Sequence, residues 1–355
     1  MGVEFNPTML LLARESRGVS QERLANSLGI SQGTLSKLES GQVRPSDEII
    51  VALASTLEYP VSIFYQPFDY RNLPLTFYRK QKTLSKGVIK RIHARIMVRQ
   101  LRLKRLLDHL EVTPTRIQPI AAKGFTGGVD KVARELRIAW HVPPGPIQNL
   151  TALLENAGIV VIPFDFETAK VAGLSIYDRD AGLPPMIFVS DSVPGDRQRW
   201  TLAHELAHLL LHNHLDIPPQ DEEKQADRFA AEFLMPQAEI RGQLIGLTLQ
   251  TLASLKLHWK VSMQALIYRA WDLGILSDNG RTRMFALFGR HGYRMQEPIQ
   301  VEREKPRFVA QIIKAHFQDL HRSEAEVCET ALCFSAEFQE IFGTRETGLR
   351  LISTN

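Results

Sequence analysis

Cysteine is almost missing from this chain of 355 residues, occurring only as Cys328 and Cys333. Two thiols cannot form a disulfide framework, and their spacing matches no structural zinc pattern. The expectation is two reduced thiols in a cytoplasm. Long apolar runs are missing too. No stretch approaches the roughly 18 residues that cross a bilayer, so no membrane partner is expected. The segment Met1 to Pro7 carries Glu4 and lacks an apolar core, which is not the pattern of a secretory signal. No internal repeat and no low-complexity tract is found. What is present, 44% hydrophobic and 23% charged residues, suits an ordinary globular protein with two or three cores.

Large excess charge is also absent, but the net +4 is unevenly spread. Met1 to Gln66 holds five Lys/Arg against seven Asp/Glu, whereas Pro67 to Arg116 holds thirteen against three. A basic belt of this kind suits an anionic partner for one segment. The first 66 residues are punctuated as short helices. Asn6-Pro7, Ser20, Ser31 and Pro45-Ser46 open them, Gly29 and Gly41 close two, and a fifth is expected at Val61 to Tyr65. A long helix is predicted from about Ser85 to Glu111, with Val88, Ile92, Ile96, Leu103, Leu107 and Leu110 on its apolar stripe. Its arginines and lysines make it either a phosphate-binding face or the solvated side of a dimerisation coil. Breakers at Thr113-Pro114 and Gly124 to Gly128 follow. Beyond them come a helix near Val129 to Trp140, another near Leu150 to Ala157, and three strand-like runs within 159–189. Helices over about 197–212, 222–234, 248–258 and 262–273 complete this region. From Gly292 onward the tail is mostly helical, with a capping box at Ser323 and Glu326.

The chemistry concentrates in His204-Glu205-Leu206-Ala207-His208, an H-E-x-x-H pattern on a predicted helix. Residues i and i+4 share a face, so both imidazoles can reach one ion, and Glu205 can take a proton from water that the ion polarises. Three residues compete as third ligand. His214 stands six residues after His208, but that geometry needs a glycine at position 211, where the chain has leucine. His212 continues the same helical face and is expected to pack or hydrogen-bond nearby. Glu223 lies on the next helix with Asp227 one turn on, a division into ligand and ring-orienting carboxylate that metal sites commonly use. The choice here is Glu223, with Asp227 behind a histidine. Tyr177 and His258 are candidate oxyanion donors.

The run Arg199 to His212, followed by Glu223 to Pro236, closely resembles the ImmA/IrrE family of metallopeptidases. Pro144 to Leu150 is similar to that family's pre-domain, and the likeness spans roughly Val129 to Leu276. It departs at Ala207, where a glycine is common. The resemblance implies a gluzincin-like fold with a small sheet beside the active-site helix, Zn2+ at His204, His208 and Glu223, and Glu205 as general base. The N-terminal residues Ser20 to Ala25, Leu28 to Gln32, Leu35 to Gly41 and Arg44 to Ser46 resemble the XRE/phage-repressor helix-turn-helix family. On that reading Ser31, Gln32, Gly33, Ser36 and Lys37 face the major groove of a double-stranded operator, and Gln21 meets phosphate.

The expected architecture is therefore multidomain. An all-α helix-turn-helix domain occupies 1–67, a basic helical linker with a possible dimer contact 68–116, an α+β gluzincin-like zinc metallopeptidase domain 117–290, and a helical region 291–355. The expected function is a cytoplasmic, homodimeric DNA-binding regulator whose peptidase cleaves a protein partner or the chain itself. The alternative is a repressor, or an antitoxin paired with a toxin, whose zinc domain senses or binds without proteolysis.

Overall fold

The computed structural model describes residues 4–67, 84–111, 115–118, 128–178, 182–212 and 219–343. The chain divides into two compact units, Met1–Val112 together with Val309–Asn355, and Thr113–Phe308.

The first unit opens with α1 (Pro7–Ser16), α2 (Gln21–Ser27), α3 (Gln32–Glu39) and α4 (Asp47–Leu57), followed by a 3-10 turn at Val61–Tyr65. Side-chain caps start each helix: Asn6 accepts from the Thr8 N–H, Ser20 from Arg23, Ser31 from Thr34 and Ser46 from Ile49. Such caps contribute about 1 kcal/mol each. Gly29, with φ of +67°, turns the chain between α2 and α3. Leu24, Ala25, Leu35 and Leu38 are buried where these helices meet α1. The long basic helix α5 (Lys86–Leu107) is capped by Ser85. It packs along α1, and its Ala94, Met97, Val98 and Leu101 enter the same core.

The second unit begins with α6 (Gly128–Ala139) and α7 (Leu150–Asn156), then β1 (Val160–Phe164), β2 (Gly173–Ile176) and β3 (Met186–Ser190). The sheet order is β1-β3-β2, with β1 parallel and β2 antiparallel to β3. β3 is buried along its whole length, as its unbroken apolar run requires. Against the sheet lies α8 (Gly195–Leu211), which is buried nearly all round, its polar Asp196, Gln198, Arg199 and Glu205 included. Next, α9 (Pro219–Leu234) packs on α8 through Ala226, Phe229, Ala230 and Phe233, all at 0% exposure. Burying each phenylalanine contributes roughly 1.5–3 kcal/mol. Three further helices, α10 (Leu249–Trp259), α11 (Met263–Asp272) and α12 (Asp278–Arg290), close this core.

The chain then returns to the first unit with α13 (Phe308–Gln318), α14 (Glu324–Thr330) and α15 (Ser335–Phe342). The capping box expected at Ser323 and Glu326 starts α14. Leu332 joins the core shared by α1 to α5. Arg102 of α5 donates to Glu337 at 2.9 and 3.0 Å and to the Leu332 carbonyl, while Arg105 donates to the Thr330 carbonyl.

This partition differs from the composition-based one. The helix of the 68–116 segment is an integral part of the first unit, and the tail does not stand as one region from 291. Much of the apolar stripe of α5 is covered within the chain, with Ile92, Ile96, Leu103, Leu106 and Leu107 buried. Charge is redistributed accordingly. Lys and Arg outnumber Asp and Glu by 21 to 17 in the first unit and equal them at 22 each in the second. The first 66 residues, acidic by themselves, thus share a unit that carries the protein's whole positive excess. The stretch Gly124 to Gly127 and His214 lie outside the described residues.

Candidate metal centre and nucleic-acid interface

Helices α8 and α9 bring His204, His208 and Glu223 together. His204 Nε2 and His208 Nε2 are 3.1 Å apart, and Glu223 oxygens lie 3.4 Å from each. Ligands held about 2.0–2.1 Å from a tetrahedral zinc ion sit roughly 3.3 Å from one another. The three separations fit that spacing, and two imidazoles with one carboxylate are a donor set zinc accepts.

The surroundings fix which ring nitrogen faces the centre. Asp227, one turn after Glu223, lies 2.9 Å from His204 Nδ1, so this nitrogen carries the proton and Nε2 is left as a donor of its lone pair. His208 is oriented by a longer relay. Its Nδ1 is 2.8 Å from Nδ1 of His212, and His212 Nε2 is 3.2 Å from Oε1 of Gln225. With the Gln225 oxygen accepting from His212 Nε2–H, His212 Nδ1 becomes an acceptor for the His208 Nδ1–H. Both ligand rings then present an unprotonated Nε2. His212 stands behind His208 and is not one of the three residues whose donor atoms converge.

Glu205 is 5% exposed, and its Oε2 accepts a hydrogen bond of 2.7 Å from the Ser175 hydroxyl on β2. That contact needs β2 close to α8, and Gly173 permits it. A Cβ at Gly173 would stand 2.4 Å from Thr201 Cγ2 and 3.2 Å from Glu205 Cγ. Arg199, in the first turns of α8, is a structural anchor. It is 1% exposed, pairs with Glu304 and donates to the Ile147 carbonyl. Of the two candidate oxyanion donors, His258 is exposed on α10 beside Trp259, whereas Tyr177 follows β2 two residues from Ser175. Ser175, Gly173 and Gln225 escape a reading of the sequence. A Gly-x-Ser strand is common, and only the register of β2 on α8 gives it meaning.

In the first unit, Gln32, Gly33, Ser36 and Lys37 form the exposed face of α3, opposite buried Leu35 and Leu38. Gly33 has room for a side chain, since a Cβ would meet only Ser31 Oγ at 3.8 Å. Ser31 spends its hydroxyl on capping α3. The Gln21 side chain, expected at phosphate, is turned to Glu39. Its carboxamide donates to Glu39 at 2.7 Å, because Glu39 is a nearly buried carboxylate that also holds Arg14 and needs its donors. The backbone N–H groups at the start of α2 remain directed outward from the helix end.

The family model for the IrrE N-terminal-like domain, peptidase M78, matches residues 154–270, which include the strands, α8, α9 and all the metal-centre residues above. The helix-turn-helix family model matches residues 10–64. No curated protein matches the chain. The protein is therefore a fusion of an XRE-type helix-turn-helix domain with an IrrE/ImmA-like domain of the M78 metallopeptidase family.

Proposed function

We propose that this protein is a DNA-binding regulator that uses a zinc-dependent endopeptidase centre to cut a protein partner or its own chain. The observation that carries the reading is the state of Glu205. It is a buried carboxylate aligned by Ser175 beside two histidines whose tautomers are set, and a scaffold that merely held a metal has no use for it.

His204, His208 and Glu223 would hold the zinc ion, which would supply Lewis-acid polarisation of water and of the scissile carbonyl. Glu205 takes the proton from the attacking water and returns it to the leaving amine. Ser175 holds the carboxylate in the orientation for both transfers. Asp227 and the His212–Gln225 pair keep the ligand rings from turning. Strand β2 has one edge without a strand partner among the described residues, and an extended polypeptide adding there would lie next to Glu205. Gln32, Ser36 and Lys37 read an operator from the major groove, in the cytoplasm and as two copies on a two-fold site.

The test is Glu205→Gln. The variant should keep its zinc and its operator affinity while proteolysis of the partner stops and repression becomes permanent. Cells in which the variant leaves both partner level and derepression unchanged would show that the zinc domain works as a sensor or a partner-binding module.

A further inference from the structure

The second unit contains a cleft of about 1010 Å3. It opens at Asp227, the carboxylate that holds the His204 ring, and runs along the first turns of α8, where Arg197 and Trp200 line it. Trp200 stands one turn before His204 on that helix. Asp227 and Trp200 thus set one wall of the cleft beside the turn of helix that carries His204.

Its acidic groups are already engaged. Lys256, with a side chain 3% exposed, donates to Asp196 at 2.6 Å and to Glu297 at 2.7 Å. Glu297 also accepts from the backbone N–H groups of Met263 and Gln264. Asp272 receives Arg269, and Asp227 accepts from the His204 ring, a bond to a neutral group that leaves its charge in place. The cations are different. Arg197 is exposed and its guanidinium has no partner among the described residues, and Lys224 has only a 3.6 Å contact with Asp221. Six Lys and Arg side chains line the cleft against four Asp and Glu, so its lining is net positive. Beside it stand the half-buried Trp200 and Tyr268, the latter 51% exposed, which offer flat apolar faces.

We propose that this cleft is a recognition subsite for the polypeptide substrate, taking a segment in which an aromatic or large aliphatic side chain neighbours Asp or Glu. The apolar side chain lies on Trp200 and Tyr268, and the acidic neighbour receives the Arg197 fork. This inference rests on the peptidase reading above and adds a substrate class to it.

The full-length Glu205→Gln protein, loaded with zinc, allows binding to be measured without cleavage. The probes are two fluorescein-labelled octapeptides with a central Phe, one flanked by Asp and Glu and the other by Lys, followed by fluorescence anisotropy. The acidic peptide should bind at least about ten-fold more tightly, and added salt should narrow the gap. Arg197→Glu should abolish or invert the preference, and Trp200→Ala should weaken both peptides, with zinc content unchanged. Equal affinities, no binding of either peptide below about 1 mM, or a preference that survives Arg197→Glu overturns the proposal. The two readings fail separately. Arg197-dependent binding in a protein whose wild type cuts no partner sinks proteolysis alone. Partner cleavage at a rate indifferent to Arg197→Glu sinks the subsite alone.

Discussion

Replacing Glu337 by alanine tests whether the C-terminal helices hold the DNA-binding unit together. Its carboxylate accepts two hydrogen bonds from Arg102, at 2.9 and 3.0 Å, and two from Arg17, at 3.1 and 3.2 Å. The Arg102 side chain is 3% exposed and that of Glu337 18%. Removing one partner of a buried ion pair costs roughly 3–5 kcal/mol, because a charge is left without compensation. Two features place this case at the low end. Arg102 keeps its bond to the Leu332 carbonyl, and Arg17 keeps the Leu57 and Glu58 carbonyls and its stacking on Tyr59. A loss of about 3 kcal/mol follows, or roughly 6–12 °C in a unit of this size. The location of the tryptophans makes the assay selective. Trp140, Trp200, Trp259 and Trp271 all belong to the second unit, so their fluorescence is blind to the first. Urea unfolding followed by far-ultraviolet circular dichroism should show an earlier transition for Glu337→Ala, while the tryptophan transition stays in place. Acid gives an independent check. Burial pushes the Glu337 carboxyl up, but the hydrogen bonds and charge of Arg102, with Arg17 behind them, outweigh burial and hold it below its usual value of 4.5. A depressed folded pKa stabilises above the unfolded value, and that contribution disappears as pH falls through the folded one. Wild type should therefore lose its advantage over Glu337→Ala below about pH 4.5. A cost under about 1 kcal/mol at neutral pH, within the range of an exposed pair, would refute the reasoning.

Four further outcomes are expected. Glu223→Ala should lose zinc and His214→Ala should retain it; metal analysis giving the reverse would transfer the third ligand to His214. His212→Phe removes the acceptor of the His208 Nδ1–H, and zinc affinity in a chelator competition should fall at least about ten-fold. Gly173→Ala forces a methyl against Thr201, so tryptophan-detected unfolding should show a loss of about 1–3 kcal/mol, and an unchanged curve would mean that β2 moves freely from α8. Lys37→Ala should weaken operator binding, whereas a Gln32→Ala change should alter base preference at one position; identical behaviour of the two across a panel of operators would argue against α3 as the reading helix.

The cluster proposed as a metal centre was legible because its parts lie on helices. His204 and His208 are one turn apart, as are Glu223 and Asp227, and sequence spacing alone places each pair on one face. The supporting atoms were not legible for the converse reason. Ser175 reaches Glu205 across thirty positions of sequence, through a strand register that no local pattern encodes. His212 was recognisable as a neighbour, but its link to Gln225 depends on how α8 and α9 cross. The caps at Asn6, Ser20, Ser31 and Ser46 fixed the helix starts of the first unit well. Charge counting over the basic belt could not show which of its cations bond within the chain. Arg102 and Arg105 bond carbonyls and a carboxylate of the chain's own C-terminal segment. Amphipathic helices announce that they need a surface, and only the assembled core shows which one.

The split of the first unit, with Met1–Val112 on one side and Val309–Asn355 on the other, bears on what self-cleavage can accomplish. The second unit is tied to the first by two covalent connections. One nick in either connection divides the polypeptide, yet the pieces stay associated while Leu332 remains in the core and Glu337 on Arg102. On a denaturing gel the chain would run as two fragments, and by gel filtration it would still elute as one particle. A switch that works by cutting the links between the two units must therefore sever both, or cut where α13 to α15 lose their hold on α5.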